Sequence, residues 1–195
     1  ALNEKTKKVW IVFHGIGFLS RYFIKYFNEL PKEENYIIAP QAPSKYYLNK
    51  DFKHVGASWL TKENTVLETG NVLNYMDNLL ASEKIPAHCR LIVLGFSQGV
   101  SIAARWTAKS KIDLDQLIFY AGGIPEELTP EDFKFLLTKN AKIKLVLGNT
   151  DEFISESRLQ REKEKLKSLF NGKAELINFD GGHEIKKDIL INLIT

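Results

Sequence analysis

Six short runs of apolar and β-branched residues, separated by segments of helical periodicity, leave this chain few folds to choose from. They cover residues 8–13, 36–39, 90–94, 116–120, 142–147 and 174–179. Several are apolar at nearly every position, the pattern of strands covered on both faces in a parallel sheet. Over residues 64–82, Val66, Leu67, Leu73, Met76, Leu79 and Leu80 recur at helical three- and four-residue steps. Over residues 155–170, Leu159, Leu166, Leu169 and Phe170 do the same, while the charged run Arg161-Glu-Lys-Glu-Lys165 falls largely on the opposite side. That run reads as a solvated helix face, not as a binding patch. Gly172 stops this helix, and a last helix is expected from about Glu184 to Leu193. The alternation implies right-handed βαβ units and an α/β fold, a doubly wound, mostly parallel sheet of about six strands with helices on both faces.

A chain of 195 residues fits one domain, expected to span 1–195, with no internal repeat or linker to divide it. With 44% apolar and 26% charged residues it resembles the average folded protein, which argues against disorder. Net charge is only +3 and the basic residues are spread along the chain, so nucleic acid is not an expected partner. The single cysteine, Cys89, excludes an internal disulfide and a Cys-rich metal site, and its place before an apolar run fits a buried, inert thiol. No run of about 18 apolar residues occurs, so no membrane span is expected. The opening Ala-Leu-Asn-Glu-Lys lacks the apolar core of a signal peptide, which makes a cytoplasmic location the expectation. Two stretches, 40–59 and 121–130, are expected to be irregular. Both follow strands, and in an open parallel sheet the ligand crevice lies beyond the carboxyl ends of the strands.

Gly95-Phe96-Ser97-Gln98-Gly99 follows the strongest of the strand runs and precedes the helical stretch 98–106. A strand–serine–helix turn is tight and forces its serine into a strained backbone conformation. The flanking glycines give the room, and the helix N-terminus favours negative charge developing at the hydroxyl. A loop that merely contains Gly-x-Ser-x-Gly is the bland reading, and the strand and helix on either side argue against it.

A serine hydroxyl is a weak nucleophile near neutral pH and needs a base oriented by an acid. On an elbow of this kind the acid and then the base follow the serine along the chain. Of four histidines only His183 lies after Ser97, in the glycine-rich Phe179-Asp-Gly-Gly-His183-Glu184 between the last strand and last helix. Asp151 follows the strand that ends at Leu147 and is the candidate acid, ahead of Glu152 and Asp180. The oxyanion formed by attack on a carbonyl needs two main-chain N–H donors. Gln98, next after the serine, supplies one, and Ile16, in the loop Phe13-His14-Gly15-Ile16-Gly17, is the expected second. His14 is then expected to brace that loop and not to act as the base.

Together His14-Gly15-Ile16-Gly17, Gly95-Phe-Ser-Gln-Gly99, Gly148-Asn-Thr-Asp151 and Gly181-Gly-His183-Glu184 resemble the carboxylesterase, phospholipase and acyl-protein thioesterase branch of the α/β-hydrolases. Pro40-Gln-Ala-Pro43 and Ser58-Trp59 look like the same branch, and the resemblance runs from about Val9 to the C-terminus. It implies a Ser97–Asp151–His183 triad, the two oxyanion donors named above, and neither cofactor nor metal. Three features depart from the branch: the first strands of many hydrolases are missing, Val100 replaces a small residue, and the segment from Tyr46 to Phe52 is the chain's own.

Phe18, Tyr46, Tyr47, Phe52, Trp59 and Ile124 are the expected pocket walls, although each taken singly fits packing over a sheet edge equally well. Such walls suit an apolar ester of small or medium size, with a thioester second. The competing expectation is a scaffold of this fold that binds ligands without turning them over.

Overall fold

The computed structural model describes residues 2–193; residues 1, 194 and 195, at the two ends of the expected domain, lie outside them. Strands β1 (Lys8–Phe13), β2 (Asn35–Ile38), β5 (Arg90–Phe96), β6 (Gln116–Tyr120), β7 (Lys142–Gly148) and β8 (Glu175–Phe179) form one sheet in the order β2-β1-β5-β6-β7-β8. Every pairing in it is parallel. All six correspond to the apolar runs of the sequence. The chain winds outward from β1 to β2, then returns to the other side of β1 for β5 and continues to β8. The loops after β1 and β5 therefore diverge, and that divergence is where an open sheet forms its crevice.

Side chains alternate across the sheet and build two cores. Val9, Ile11 and Phe13 of β1 join Val93, Leu117, Phe119, Leu145 and Leu147 on one face. This face packs against α2 (Thr65–Ser82), α3 (Gln98–Ser110), α4 (Pro130–Thr138) and α5 (Glu156–Leu169) through Met76, Ile102, Trp106, Phe133 and Leu166. Trp10, Val12, Leu94, Phe96, Ile118 and Val146 face the other way. They meet Phe23 of α1 (Ser20–Phe23), Phe27 of the 3-10 turn that follows it, and Leu190 of α6 (Lys187–Asn192). The central strands β1, β5 and β6 are thus covered on both faces, which is why their apolar runs are nearly unbroken.

The irregular stretch expected over 40–59 instead holds a hairpin, β3 (Ser44–Tyr47) paired antiparallel with β4 (Val55–Ser58). Every residue of β3 is exposed, so no alternation marked it as a strand. Stretch 121–130 does lack a strand, but it ends in a helix cap. The Thr129 hydroxyl and the Asp132 carboxylate form a reciprocal box ahead of α4, with Pro130 in its first turn. Val66 and Leu67 do not join the buried stripe of α2; they are 91% and 64% exposed, and Val72, Leu73 and Met76 carry its packing. The last helix begins at Lys187 and not near Glu184, because residues 180–185 form the loop after β8. Among the described residues, no helix is long and apolar enough to cross a membrane.

Candidate active site

Ser97 follows β5 directly and stands at the N-cap position of α3, with φ 54° and ψ −118°, a conformation that L-residues rarely adopt. Two close approaches require the glycines around it. A Cβ on Gly95 would lie 2.4 Å from the Gly99 carbonyl oxygen, and one on Gly99 would lie 2.2 Å from the Phe13 carbonyl oxygen. The elbow is thus pressed into the end of β1 on one side and into its own helix on the other. The Ser97 N–H donates to the Tyr120 carbonyl at 2.9 Å, tying the strained residue to the end of β6.

The loops after β7 and β8 converge on this serine. His183 Nε2 lies 2.9 Å from Ser97 Oγ, and His183 Nδ1 lies 2.8 Å from Asp151 Oδ2. The Asp151 side chain is fully buried, and its other oxygen accepts the Phe153 N–H at 2.9 Å. The His183 ring is held between Phe96 and the edge of Phe153, at centroid distances of 5.2 and 4.7 Å. The glycines of its loop are needed for closeness: a Cβ on Gly148 would lie 2.3 Å from the Gly181 carbonyl oxygen. With Nδ1–H donated to the carboxylate, Nε2 is left as an acceptor for the serine proton. That arrangement can transfer a proton to and from Oγ.

Ile16 and Gln98 border the same cleft, and among the described residues neither main-chain N–H has an acceptor. The Ile16 loop is fixed from three directions. The Gly17 N–H donates to the Ala57 carbonyl of β4 at 2.8 Å. His14 Nδ1 donates to the Gly15 carbonyl at 2.8 Å, and its Nε2 accepts the Ala42 N–H at 3.1 Å. His14 is fully buried, and that burial holds its pKa below the ordinary value, so the ring is neutral. It braces the loop and does not approach Ser97. The Gln98 side chain, meanwhile, clamps the hairpin to α3: it accepts the Trp59 N–H at 2.9 Å and donates to the Leu60 carbonyl at 2.7 Å.

A cleft of about 510 Å3 opens over these groups, lined on one side by Ile16 and Phe18 and on the other by Gly122, Gly123, Phe153 and Arg158. Of the expected walls, Phe18 reaches it and the others do not. Tyr46, Tyr47 and Phe52 stand exposed on the outer hairpin. Trp59 is buried beneath the loop after β1, its indole N–H donating to the His14 carbonyl at 2.8 Å and its ring against Phe13. Ile124 is also buried, its main chain held by Glu162 and Lys165 of α5. The Gly122-Gly123 wall falls in the stretch 121–130 that was expected to border the crevice, whereas the Phe153 wall was not expected. The crevice rule applied to the end of β7 was the signal that could have found Phe153.

The profile of the phospholipase/carboxylesterase family matches residues 1–195. No protein with a curated description matches the chain in sequence. Acyl-protein thioesterase 2 of Zea mays superimposes with a TM-score of 0.71 at 19% identity, over 99% of this chain and 93% of that one. A phospholipase/carboxylesterase of Dyadobacter fermentans gives 0.65 at 22% identity, over 97% and 90%. Arabidopsis thaliana SOBER1 gives 0.65 at 18%, over 96% of each chain. At these identities the structural likenesses speak to the fold.

Proposed function

The chain belongs to the phospholipase/carboxylesterase family of hydrolases, and from that premise we propose that it cleaves carboxylic esters through an acyl-enzyme on Ser97. The observation that carries the proposal is the unbroken path from Ser97 Oγ through the His183 ring to the buried Asp151 carboxylate, with links of 2.9 and 2.8 Å.

In the first half-reaction His183 Nε2 takes the Oγ proton as the oxygen attacks the ester carbonyl. The tetrahedral oxyanion accepts the N–H groups of Ile16 and Gln98, each such donor being worth roughly 3–4 kcal/mol in comparable hydrolases. The imidazolium then hands its proton to the departing alkoxide, leaving the acyl group on Ser97. A water molecule deprotonated by the same nitrogen attacks that acyl group, and collapse returns the proton to Oγ and frees the acid. Asp151 keeps the imidazole in the Nδ1–H tautomer and offsets its charge when it is protonated. A thioester enters the same cycle with a thiolate as leaving group.

The test is a series of para-nitrophenyl esters of increasing chain length, with an acyl thioester alongside and Ser97→Ala as control. Turnover is expected in the native protein and should fall by about 10⁶-fold in the variant, the order seen for loss of a nucleophile in serine hydrolases. Labelling by a fluorophosphonate should likewise disappear. Ester turnover that survives Ser97→Ala defeats the proposal, and a protein that binds esters without cleaving them supports the non-catalytic scaffold instead.

A further inference from the structure

One charged side chain borders the cleft without a part in that cycle. Arg158 lies in the first turn of α5, where the positive end of the helix dipole makes a cation unfavourable in the absence of a nearby anion. Its Nη1 donates to the Phe153 carbonyl at 3.0 Å, which holds the guanidinium toward the cleft. Among the described residues no carboxylate lies within ion-pair distance of it. Its neighbours on the outer face of α5, Arg161 and Lys163, do not line the cleft.

The position relative to Ser97 follows from the contacts of two glycines. A Cβ on Gly122 would lie 2.3 Å from the Ser97 carbonyl oxygen, and a Cβ on Gly123, one residue on, would lie 3.1 Å from Arg158 Nη2. Gly122 and Gly123 thus run from the elbow to the guanidinium. The Glu162 carboxylate lies on the same side of Gly123, 2.8 Å from that Cβ position, but it is outside ion-pair distance of Arg158, accepts the Ile124 N–H at 3.1 Å, and is not among the lining residues. In the sheet, β5 lies between β1 and the pair β6 and β7. The cleft thus offers an ester at Ser97 one wall at Ile16 and Phe18 and another along Gly122 and Gly123 toward Arg158.

Building on the esterase reading, we propose that Arg158 selects esters that carry a carboxylate on the arm lying along Gly122 and Gly123. The guanidinium fork matches a carboxylate in geometry. Among the described lining residues it is the one Lys or Arg side chain, which fits a single negative charge and not the double charge of a phosphate monoester. Phe153 and Ile154 line the cleft beside it and offer apolar surface to the chain that carries the carboxylate. Arg158 is thus a specificity residue for substrate and takes no part in the bond-making steps.

The experiment measures kcat/KM on matched pairs that differ in charge. On the acyl side, the para-nitrophenyl half-esters of adipic and suberic acid are compared with para-nitrophenyl hexanoate and octanoate. On the alcohol side, para-carboxyphenyl butyrate is compared with para-carbamoylphenyl butyrate. The acid-to-neutral ratio in one of the two series is expected to exceed about tenfold and to collapse in Arg158→Gln, as the loss of a hydrogen-bonded charge pair implies. Arg158→Lys should retain part of it, Arg161→Gln all of it, and added salt should shrink it. Thermal melts confirm that Arg158→Gln is folded. A ratio unchanged by Arg158→Gln in both series, or a native protein that prefers the neutral ester throughout, overturns this proposal while leaving the esterase reading intact. A native protein that cleaves neither member of any pair overturns both.

Discussion

The Asp151 carboxylate, fully buried, meets His183 Nδ1 at 2.8 Å and so dictates which nitrogen of the ring faces Ser97. Asp151→Asn keeps the size of the side chain, and its amide oxygen can still accept the Phe153 N–H. What changes is the tautomer, because the amide now offers a hydrogen where Nδ1 donated one. Under the proposed mechanism kcat is expected to fall by about 10³–10⁴-fold with KM little altered. Steady-state kinetics on a chromogenic ester, with a melt to establish the fold, checks this. A loss under tenfold would remove Asp151 from the role assigned to it.

Two glycine substitutions should have opposite effects. Gly99→Ala drives a methyl group to 2.2 Å from the Phe13 carbonyl oxygen, against main chain that cannot turn aside. The expected cost is at least about 3 kcal/mol, with the loop carrying Ile16 displaced as well. Gly70 lies within α2, and a Cβ there would meet nothing within 4 Å. Gly70→Ala is therefore expected to stabilise the fold by about 0.5–1 kcal/mol through helix propensity alone. Urea unfolding of the pair reads both signs.

The contrast between those glycines shows what the sequence made legible. Strand runs that are buried on both faces, and a serine motif between such a run and a helix, announce themselves because many neighbours demand the same residue types. The order Ser97, Asp151, His183 was legible for the same reason, since each stands within four residues of the end of a strand. The β3–β4 hairpin was not, because all of β3 faces outward and nothing in its composition records a partner. Trp59 misled in the opposite direction. An aromatic residue in a loop beside the site looks like a wall, yet its indole N–H is spent on the His14 carbonyl beneath that loop. The box Thr129-Pro-Glu-Asp132 was readable as a helix start and was absorbed into an irregular stretch instead. Gly122 and Gly123 fall in the stretch that the crevice rule placed beside the site, whereas the part Phe153 plays in the wall depends on how the loops meet, which no local pattern encodes.

Acid should unfold the protein partly through His14. Its ring is buried and neutral, with desolvation holding the pKa below 6.5, while in the unfolded chain it titrates at that ordinary value. The unfolded state therefore binds the extra proton first, and stability falls as pH drops below about 6.5 toward the lower folded-state pKa. Above that window both states hold a neutral ring and the contribution is flat. Melting temperature is expected to decline between pH 7.5 and pH 5 more steeply in the native protein than in His14→Gln. That variant will be less stable at every pH, so the slope is the quantity to compare. Equal slopes would show that other groups govern the acid limb.

Tyr120 ties the nucleophile to the loop of the base. Its carbonyl accepts the Ser97 N–H at 2.9 Å, and its hydroxyl accepts the Lys186 N–H at 3.1 Å, three residues beyond His183. Burial pushes the phenol up to about 12, so it stays protonated across the working range and remains an acceptor through its lone pairs. Tyr120→Phe leaves the main-chain bond untouched and removes only the second tie. The Lys186 N–H then loses its partner, at a cost of about 1–3 kcal/mol if it stays buried. The loop can lower that cost by moving toward water, and His183 would move with it. The expected result is a fall in kcat of about tenfold at similar KM, with hydrogen exchange accelerated relative to the native protein at residues 181–186 and not in the strands. A purely structural tyrosine would shift stability and leave kcat and the local exchange pattern unchanged. Because the ring also packs on Phe96 and Phe179, at 6.0 and 5.7 Å, and phenylalanine preserves both contacts, the substitution isolates the hydroxyl.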